Sequence, residues 1–433
     1  MADQFHSTAG LRDALAEASF DRPPALVANA HVTGVSVARA LAAVDVPVVA
    51  LDRGAGDGVA PPSDAVDFAG AVTYPLDDPD GFRADVASLV AELGTEAVAF
   101  PCMDEWVRGF ADTQPEGVRL SFDRDVDRVL DKANLYALAE EHGVPYPETR
   151  DLTETSADTA IDAVGGFPLV IKPAHKRKFE EAFGTNVVRA TDRGEFDDTV
   201  QAAREADARV LVQEAVSVEP GRDASLASYR PPADGPSFAG VGKGPVADHD
   251  ALGVVGNAAV RYPQGFGTSC LVETVEEPAV TRRALSVLDE TGYHGISEAE
   301  FVYDTDRETY VLLDINTRPW KWISTTVAAG ANLPAAAYAA TVEGVDPAVA
   351  VGGAGRDEVG DARWVYLPDY LELCATTPAF QDALSREEWG ALVSGTFEDD
   401  PAFTTGVYRP SDPGPATKAI RTAFGGREYY CAC

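Results

Sequence analysis

The sequence predicts an α/β protein: an open, doubly wound sheet at the N-terminus, then two α+β subdomains and a small C-terminal extension. Three observations predict it. Residues 24–52 read as buried strand, helix, buried strand, a β-α-β unit of the kind that starts a doubly wound sheet. Residues 166–173 and 209–216 are short apolar runs separated by a strand near 187–190 and a helical stretch at 193–206, the pattern of an α+β subdomain. Residues 295–304 and 310–318 alternate polar and apolar positions around a short turn, as a hairpin does.

Taken in order, a short helix around Leu11 precedes a strand at 24–30, a helix at 35–44 and a strand at 46–52 that ends on Asp52. This Rossmann-like opening is not expected to hold a dinucleotide. Only Gly34 stands where three glycines would let the chain approach a pyrophosphate. A helix at 79–93 and a strand at 97–101 extend the sheet. His31 and the pair Asp104 and Glu105 follow carboxyl ends of strands, where such sheets bind ligands. A boundary is expected near 120–127, then helices at 131–142 and 156–164 and a strand at 166–173 with Lys172 at its tip. Further strands are expected at 209–216, near 224–230 and at 237–243, with a loop at 244–256. A helix at 278–291 leads into the hairpin, and an Ala-rich helix at 325–343 follows it. Domains are expected at 1–125, 126–344 (with a lid subdomain at about 150–216) and 345–433.

In the hairpin, side chains two apart share a face, so Glu298 and Glu300 point one way on the first strand. Asp314, Asn316 and Arg318 share a face on the second, while Leu313 and Ile315 point into a core. A carboxylate, an amide and a guanidinium in a row are costly to bury unpaired. Hard oxygen donors that leave room for phosphate oxygens suit Mg²⁺, or Mn²⁺ in its place, with Glu300, Asp314 and Asn316 as ligands. Trp320 and Trp322 are expected to continue this strand, with core packing favoured over a substrate wall.

Composition narrows the function. With 70 acidic and 35 basic residues, the chain carries a net charge of −35. That field repels nucleic acid and anionic lipid, so neither is expected as a partner. Adaptation to a saline cytoplasm accounts for the charge, since ~1 M salt shortens its range to ~3 Å. No apolar run reaches the length of a membrane span, and the first residues lack a signal-peptide pattern. Lysine occurs seven times, and six of these lie between Lys132 and Lys321, where a compact ammonium serves chemistry. The five cysteines imply no disulfide framework, and Cys431 and Cys433 read as a reduced tail.

Several short motifs fall in a consistent order. They are Asp131-Lys132, the apolar strand ending Lys172-Pro173, Gln213-Glu214 on another apolar strand with Pro220-Gly221 after it, Glu300-Phe301, and Asp314-x-Asn316-x-Arg318. Together they resemble the ATP-grasp superfamily, specifically the carboxylate–amine ligases related to biotin carboxylase and the carbamoyl-phosphate synthase large chain. The similarity covers about residues 25–340.

The resemblance implies a pre-ATP-grasp domain followed by an ATP-grasp fold. It implies ATP held by Lys132, Lys172 and Lys178 (with Lys176 as another candidate) at the phosphates. Gln213, Glu214 and Val216 would lie at the adenine, with Asp223 beyond them. Arg318 would stabilise the transferring phosphoryl group, and Arg261, before the Gly265–Ser269 loop, would clamp a substrate carboxylate. The implied reaction activates a small-molecule carboxylate as an acyl phosphate and joins it to an amine, releasing ADP and phosphate. A homodimer is allowed for. The alternatives are a carboxylase-type enzyme using bicarbonate and a non-catalytic ATP-binding regulator. Two departures stand out: the loop after Lys172 is basic rather than Gly-rich, and Asp314 stands where a glutamate is usual.

Overall fold

The structure, a computed structural model, describes residues 5–54, 58–173, 179, 182–185, 187–239, 246, 249–265, 267–351 and 359–424. The chain forms two compact units, the first from residues 1–130, 224–299 and 315–433, the second from residues 131–223 and 300–314.

The first unit opens on β1 (Phe5–His6), α1 (Thr8–Ala16), β2 (Ala25–Ala28), α2 (Val32–Ala42), β3 (Val48–Asp52), β4 (Phe68–Ala71), α3 (Pro79–Glu92), β5 (Ala97–Pro101), α4 (Asp104–Thr113) and β6 (Val118–Leu120). The strands form one sheet in the order β1-β4-β3-β2-β5-β6, with every pairing parallel. β2, β3 and β5 are buried end to end, which is why they read as unbroken apolar runs rather than alternating ones. Helix starts are marked by Ser7, whose Oγ accepts from the Gly10 amide, and by Asp78, which accepts from the Gly81 amide ahead of Pro79. Strand order reverses between β2 and β5. Their carboxyl ends, at Asn29–His31 and Cys102–Asp104, therefore flank the crevice where such sheets bind ligands.

A seven-stranded sheet comprises β11 (Val218–Arg230), β12 (Leu252–Tyr262), β13 (Thr268–Val275), β14 (Gly295–Asp304), β15 (Thr309–Asn316), β16 (Arg363–Val365) and β17 (Phe403–Thr405), in the order β15-β14-β11-β12-β13-β16-β17. The chain passes between the two units at 130–131 and again inside β11, β14 and β15. Segment 345–433 contributes β16 and β17 and is tied to α2 by a buried guanidinium. Arg39 Nε donates to Asp412 Oδ2 at 2.8 Å, and both terminal nitrogens reach the Val407 carbonyl at 3.1 Å. Burial holds the Arg39 pKa below its usual value despite Asp412.

The first unit's largest core joins Val27, Phe100 and Leu41 to Tyr229, Leu252, Trp320, Trp322, Tyr338 and Trp364. Both tryptophans after the hairpin are thus core residues. Nor do they continue the strand: β15 stops at Asn316, Pro319 has no N–H to donate to a ladder, and the Ile323 amide turns back to the Trp320 carbonyl. Gly256 of β12 makes room for Trp322, because a Cβ there would lie 2.6 Å from the indole.

Three further expectations are corrected. Residues 237–239 are not strand, since the Phe238 amide and Ser237 hydroxyl bond the Asp250 carboxylate instead of a ladder. Residues 252–256, expected in a loop, open β12. The Ala-rich stretch is two helices, Ser324–Ala328 and Leu333–Thr341, because Gly330 takes a φ of +93° and Asn332 caps the second helix.

The second unit starts with α6 (Lys132–Glu141), which follows α5 (Asp127–Leu130). Its own sheet contains β7 (Thr149–Asp151), β8 (Leu169–Pro173), β9 (Val188–Ala190) and β10 (Val210–Glu214), in the antiparallel order β7-β10-β8-β9. Leu169, Ile171, Val210 and Val212 pack on Phe196 and Val200 of helix Arg193–Glu205. Among the described residues, no helix is long and apolar enough to cross a membrane.

Candidate functional site

In the second unit the register fixes which residues can meet. Lys172 pairs with Leu211, and Val170 pairs with Gln213. Since Leu169 and Ile171 fill the core with Val210 and Val212, Lys172 and Gln213 share the opposite face of the sheet. On that face Gln213 Nε2 donates to the Tyr136 hydroxyl and to Thr149 Oγ1, both at 2.9 Å. Tyr136 in turn donates to the Leu313 carbonyl at 3.0 Å. This relay links β7, β10, α6 and β15, and burial pushes the Tyr136 hydroxyl pKa up. The Gln213 side chain therefore serves the packing of the unit.

Lys132 lies one helical turn before Tyr136. Its Nζ is 2.8 Å from Asp314 Oδ1, with both side chains largely buried. Burial works against the ammonium, but Asp314, Tyr136 and Glu300 outweigh it and raise the Lys132 pKa above its usual value. So the structure gathers Lys132, Glu300 and Asp314, three residues singled out from the sequence. Glu214 accepts from Arg307 Nη2 at 2.7 Å and from the Glu148 amide at 3.1 Å. Val216 lies in the link between β10 and β11, and Asp223 is buried on β11.

The first unit holds the remaining residues. Asn316 and Glu298 are both buried, and the Asn316 amide nitrogen donates to Glu298 Oε2 at 3.3 Å. Arg318 Nε lies 2.5 Å from Asp104 Oδ1, a contact that bridges 214 positions of sequence. Asp104 is the first residue of α4, where a helix dipole favours a carboxylate. Beside them burial pushes the Cys102 thiol pKa up, against the opposing charge of Arg318. Just ahead of Arg318, the Thr317 carbonyl accepts from the Tyr293 hydroxyl at 3.2 Å.

Arg261 Nη1 donates to the Gly267 carbonyl at 3.0 Å. That loop requires glycine at 267, because a Cβ would lie 1.9 Å from the Pro263 carbonyl. Lys321, left without a role by sequence, bonds Asp369 at 2.5 Å and Thr268 at 3.1 Å over the Tyr366 ring. His31 Nε2 lies 3.5 Å from Asp52 Oδ2, and burial raises the Asp52 pKa against the pull of His31.

Lys176, Lys178, Cys431 and Cys433 fall outside the described residues. Among those described, no group of three or more His, Cys, Asp or Glu residues could hold a metal ion. Within the second unit the hairpin offers two carboxylates, Glu300 and Asp314. That set is too small to cage a cation alone. It fits Mg²⁺, which keeps waters and takes substrate phosphate oxygens.

Sequence reasoning missed Tyr136, although its i+4 spacing from Lys132 puts both on one helix face. It also missed Arg307, inside a turn read only as a connection.

Comparison with known proteins identifies the fold. No protein-family model matches the chain. Among solved structures, the ADP complex of an N5-carboxyaminoimidazole ribonucleotide synthetase superposes with a TM-score of 0.59 at 12% identity, over 84% of this chain and 86% of that one. A Campylobacter jejuni biotin carboxylase gives a TM-score of 0.57 at 12% identity, over 81% and 76%. An L-amino acid ligase from Bacillus licheniformis gives 0.52 at 12% identity, over 75% of each chain. The chain therefore has the α/β fold of the ATP-grasp enzymes. In sequence it is 25% identical over 177 residues to a D-alanine–D-alanine ligase of Pseudomonas fluorescens (strain Pf0-1), 41% of this chain. The match spans 50% of that curated relative's length.

Proposed function

We propose that the protein is an ATP-dependent ligase that activates a small-molecule carboxylate as an acyl phosphate and joins it to an amine. The observation that carries this reading is the buried cluster of Lys132, Asp314 and Glu300, on a unit whose sheet face also bears Lys172. The names of the fold neighbours and the curated relative support the same chemistry.

In this reading Lys132 stays charged, fixes Asp314 with one N–H, and has two donors left for phosphate oxygens. Lys172 and Lys178 bind further phosphate oxygens, while Glu214 and Val216 lie at the adenine and Asp223 beyond. Mg²⁺ on Glu300, Asp314 and Asn316 would neutralise charge on the phosphates when bound. Asn316 would ligate through its oxygen, the acceptor atom of an amide. The substrate carboxylate attacks the γ-phosphorus and ADP leaves. The amine then attacks the acyl carbon and phosphate leaves. Arg318, oriented by Asp104, stabilises the negative charge that develops in these steps, and Arg261 clamps a substrate carboxylate. We place the enzyme in a saline cytoplasm, as its charge suggests.

The test is ADP and phosphate release from Mg-ATP in high salt across a panel of carboxylates and amines, with bicarbonate as a separate arm. Stimulation by one acid–amine pair, abolished in Asp314→Ala, is expected. Stimulation by bicarbonate alone would favour the carboxylase alternative, raised by the biotin carboxylase among the fold neighbours. The ligase reading fails if no panel member stimulates release and Asp314→Ala binds ATP as tightly as the parent.

A further inference from the structure

One buried carboxylate of the first unit has no part in the reaction described so far. Asp52 closes β3 and is 2% exposed. Its Oδ1 accepts from the Arg53 amide at 2.8 Å. Its Oδ2 is buried with no hydrogen-bond partner among the described residues, and it faces His31 Nε2 at 3.5 Å. The chain is shaped around this oxygen. A Cβ at Gly58 would lie 2.7 Å from Oδ2 and 2.5 Å from the Ala30 carbonyl, so glycine is needed there. A carboxylate kept from water with one oxygen unbonded is costly. The Arg53 contact does not account for that cost, since an asparagine would accept the same bond.

His31 is placed to use this oxygen. It is the N-cap of α2, yet its side chain makes no capping bond. The imidazole turns Nε2 to Asp52 instead, and its side chain is 50% exposed. The carboxylate favours the tautomer with a proton on Nε2, which leaves the lone pair on Nδ1. A proton taken up at Nδ1 makes the contact with Asp52 charge-assisted, and such bonds are shorter. Ala28 of β2 stands opposite Pro101 of β5, and His31 and Asp104 each follow three residues later. His31 therefore flanks the same crevice as the Asp104–Arg318 pair.

We infer that His31 is the general base for the amine acceptor, with Asp52 as its positioning residue. The inference rests on the ligase reading above and extends it to the second step. It also names the acceptor class, a primary aliphatic amine that is charged at neutral pH. Such an acceptor arrives as R–NH₃⁺, which has no lone pair for attack. His31 Nδ1 takes one proton, and Asp52 stabilises the imidazolium. The freed lone pair forms the C–N bond as the acyl C–O bond to phosphate breaks. The second proton shed by the nitrogen leaves with the phosphate, and His31 returns its own to water.

The test gives the full chain Mg-ATP in high salt, each carboxylate of the panel above, and two kinds of acceptor. One is the panel's aliphatic amines. The other is hydroxylamine, a weak base that is largely neutral at neutral pH and needs no deprotonation before attack. Amide and hydroxamate are measured separately. His31→Ala should lower the ratio of amide to hydroxamate rates roughly 100-fold, and added imidazole should restore part of it. Asp52→Asn keeps an acceptor for the Arg53 amide and should lower the same ratio about tenfold. An unchanged ratio in His31→Ala overturns the inference, and a fall of both rates together with Tm would make His31 merely structural. Imidazole that restores nothing overturns it as well. So does a parent that makes hydroxamate but no amide. If the parent refuses hydroxylamine, rescue of the amide rate by imidazole decides alone. A parent that makes neither product instead sinks the ligase reading itself.

Discussion

Two acid–base pairs of similar length are supported in opposite ways. Lys132–Asp314 is 2.8 Å long and lies beside the relay of Tyr136, Gln213 and Thr149. Arg318–Asp104 is 2.5 Å long and sits at the start of α4. If Lys132 is lost, Asp314 loses its ammonium partner in a largely buried setting, where a carboxylate is costly. Asp104 keeps the N-terminal end of a helix, which favours a carboxylate by itself. The difference teaches that stability and turnover need not track each other in the two pairs, although both are assigned to the same reaction.

Breaking the first pair should have the largest effect. Lys132→Ala should cost about 3–5 kcal/mol of stability, read as urea denaturation in high salt, and should abolish ADP release. The double change Lys132→Met with Asp314→Leu should regain much of that stability and none of the activity. Arg318→Ala should reduce ADP release at least roughly 100-fold while costing less stability than Lys132→Ala, because the start of α4 still favours the Asp104 carboxylate. If Arg318→Ala destabilises as much as Lys132→Ala, the comparison is wrong. Tyr136→Phe removes a hydroxyl that both accepts and donates, and should cost about 1–2 kcal/mol with ATP affinity moved much less.

The smallest effect concerns pH. Burial holds the His294 pKa below its ordinary 6.5, with Asp123 pulling the other way. The unfolded chain therefore takes up this proton first as pH falls. The contribution of neutral His294 to stability is full above pH 6.5 and is lost as pH drops through the lowered folded value. His294→Gln should flatten the dependence of Tm on pH between about 7 and 5. An unaltered slope would show that His294 titrates alike in both states.

The parallel sheet was legible because β2, β3 and β5 are local apolar runs, and β15 was legible because its alternation is local too. Lys132, Glu300 and Asp314 were found through spacing and resemblance, and they do converge. What sequence could not show were contacts between distant positions. Nothing near Arg318 announces Asp104, and nothing in Gln213 announces that Tyr136 and Thr149 will occupy its amide. Trp320 and Trp322 failed as strand residues for a tertiary reason: the core opposite Gly256 claims the second indole, and Pro319 ends the ladder first. At 237–239 one carboxylate, Asp250, outcompeted a strand.

The raised pKa and burial of Lys132 have a consequence for reagents rather than for folding. An acylating label attacks only a neutral amine, so this ammonium is doubly shielded, by its charge and by Asp314. In a chain with seven lysines, the label pattern is short enough to read residue by residue. The rate at which Lys132 acquires an acyl group would then time how often its contact with Asp314 opens.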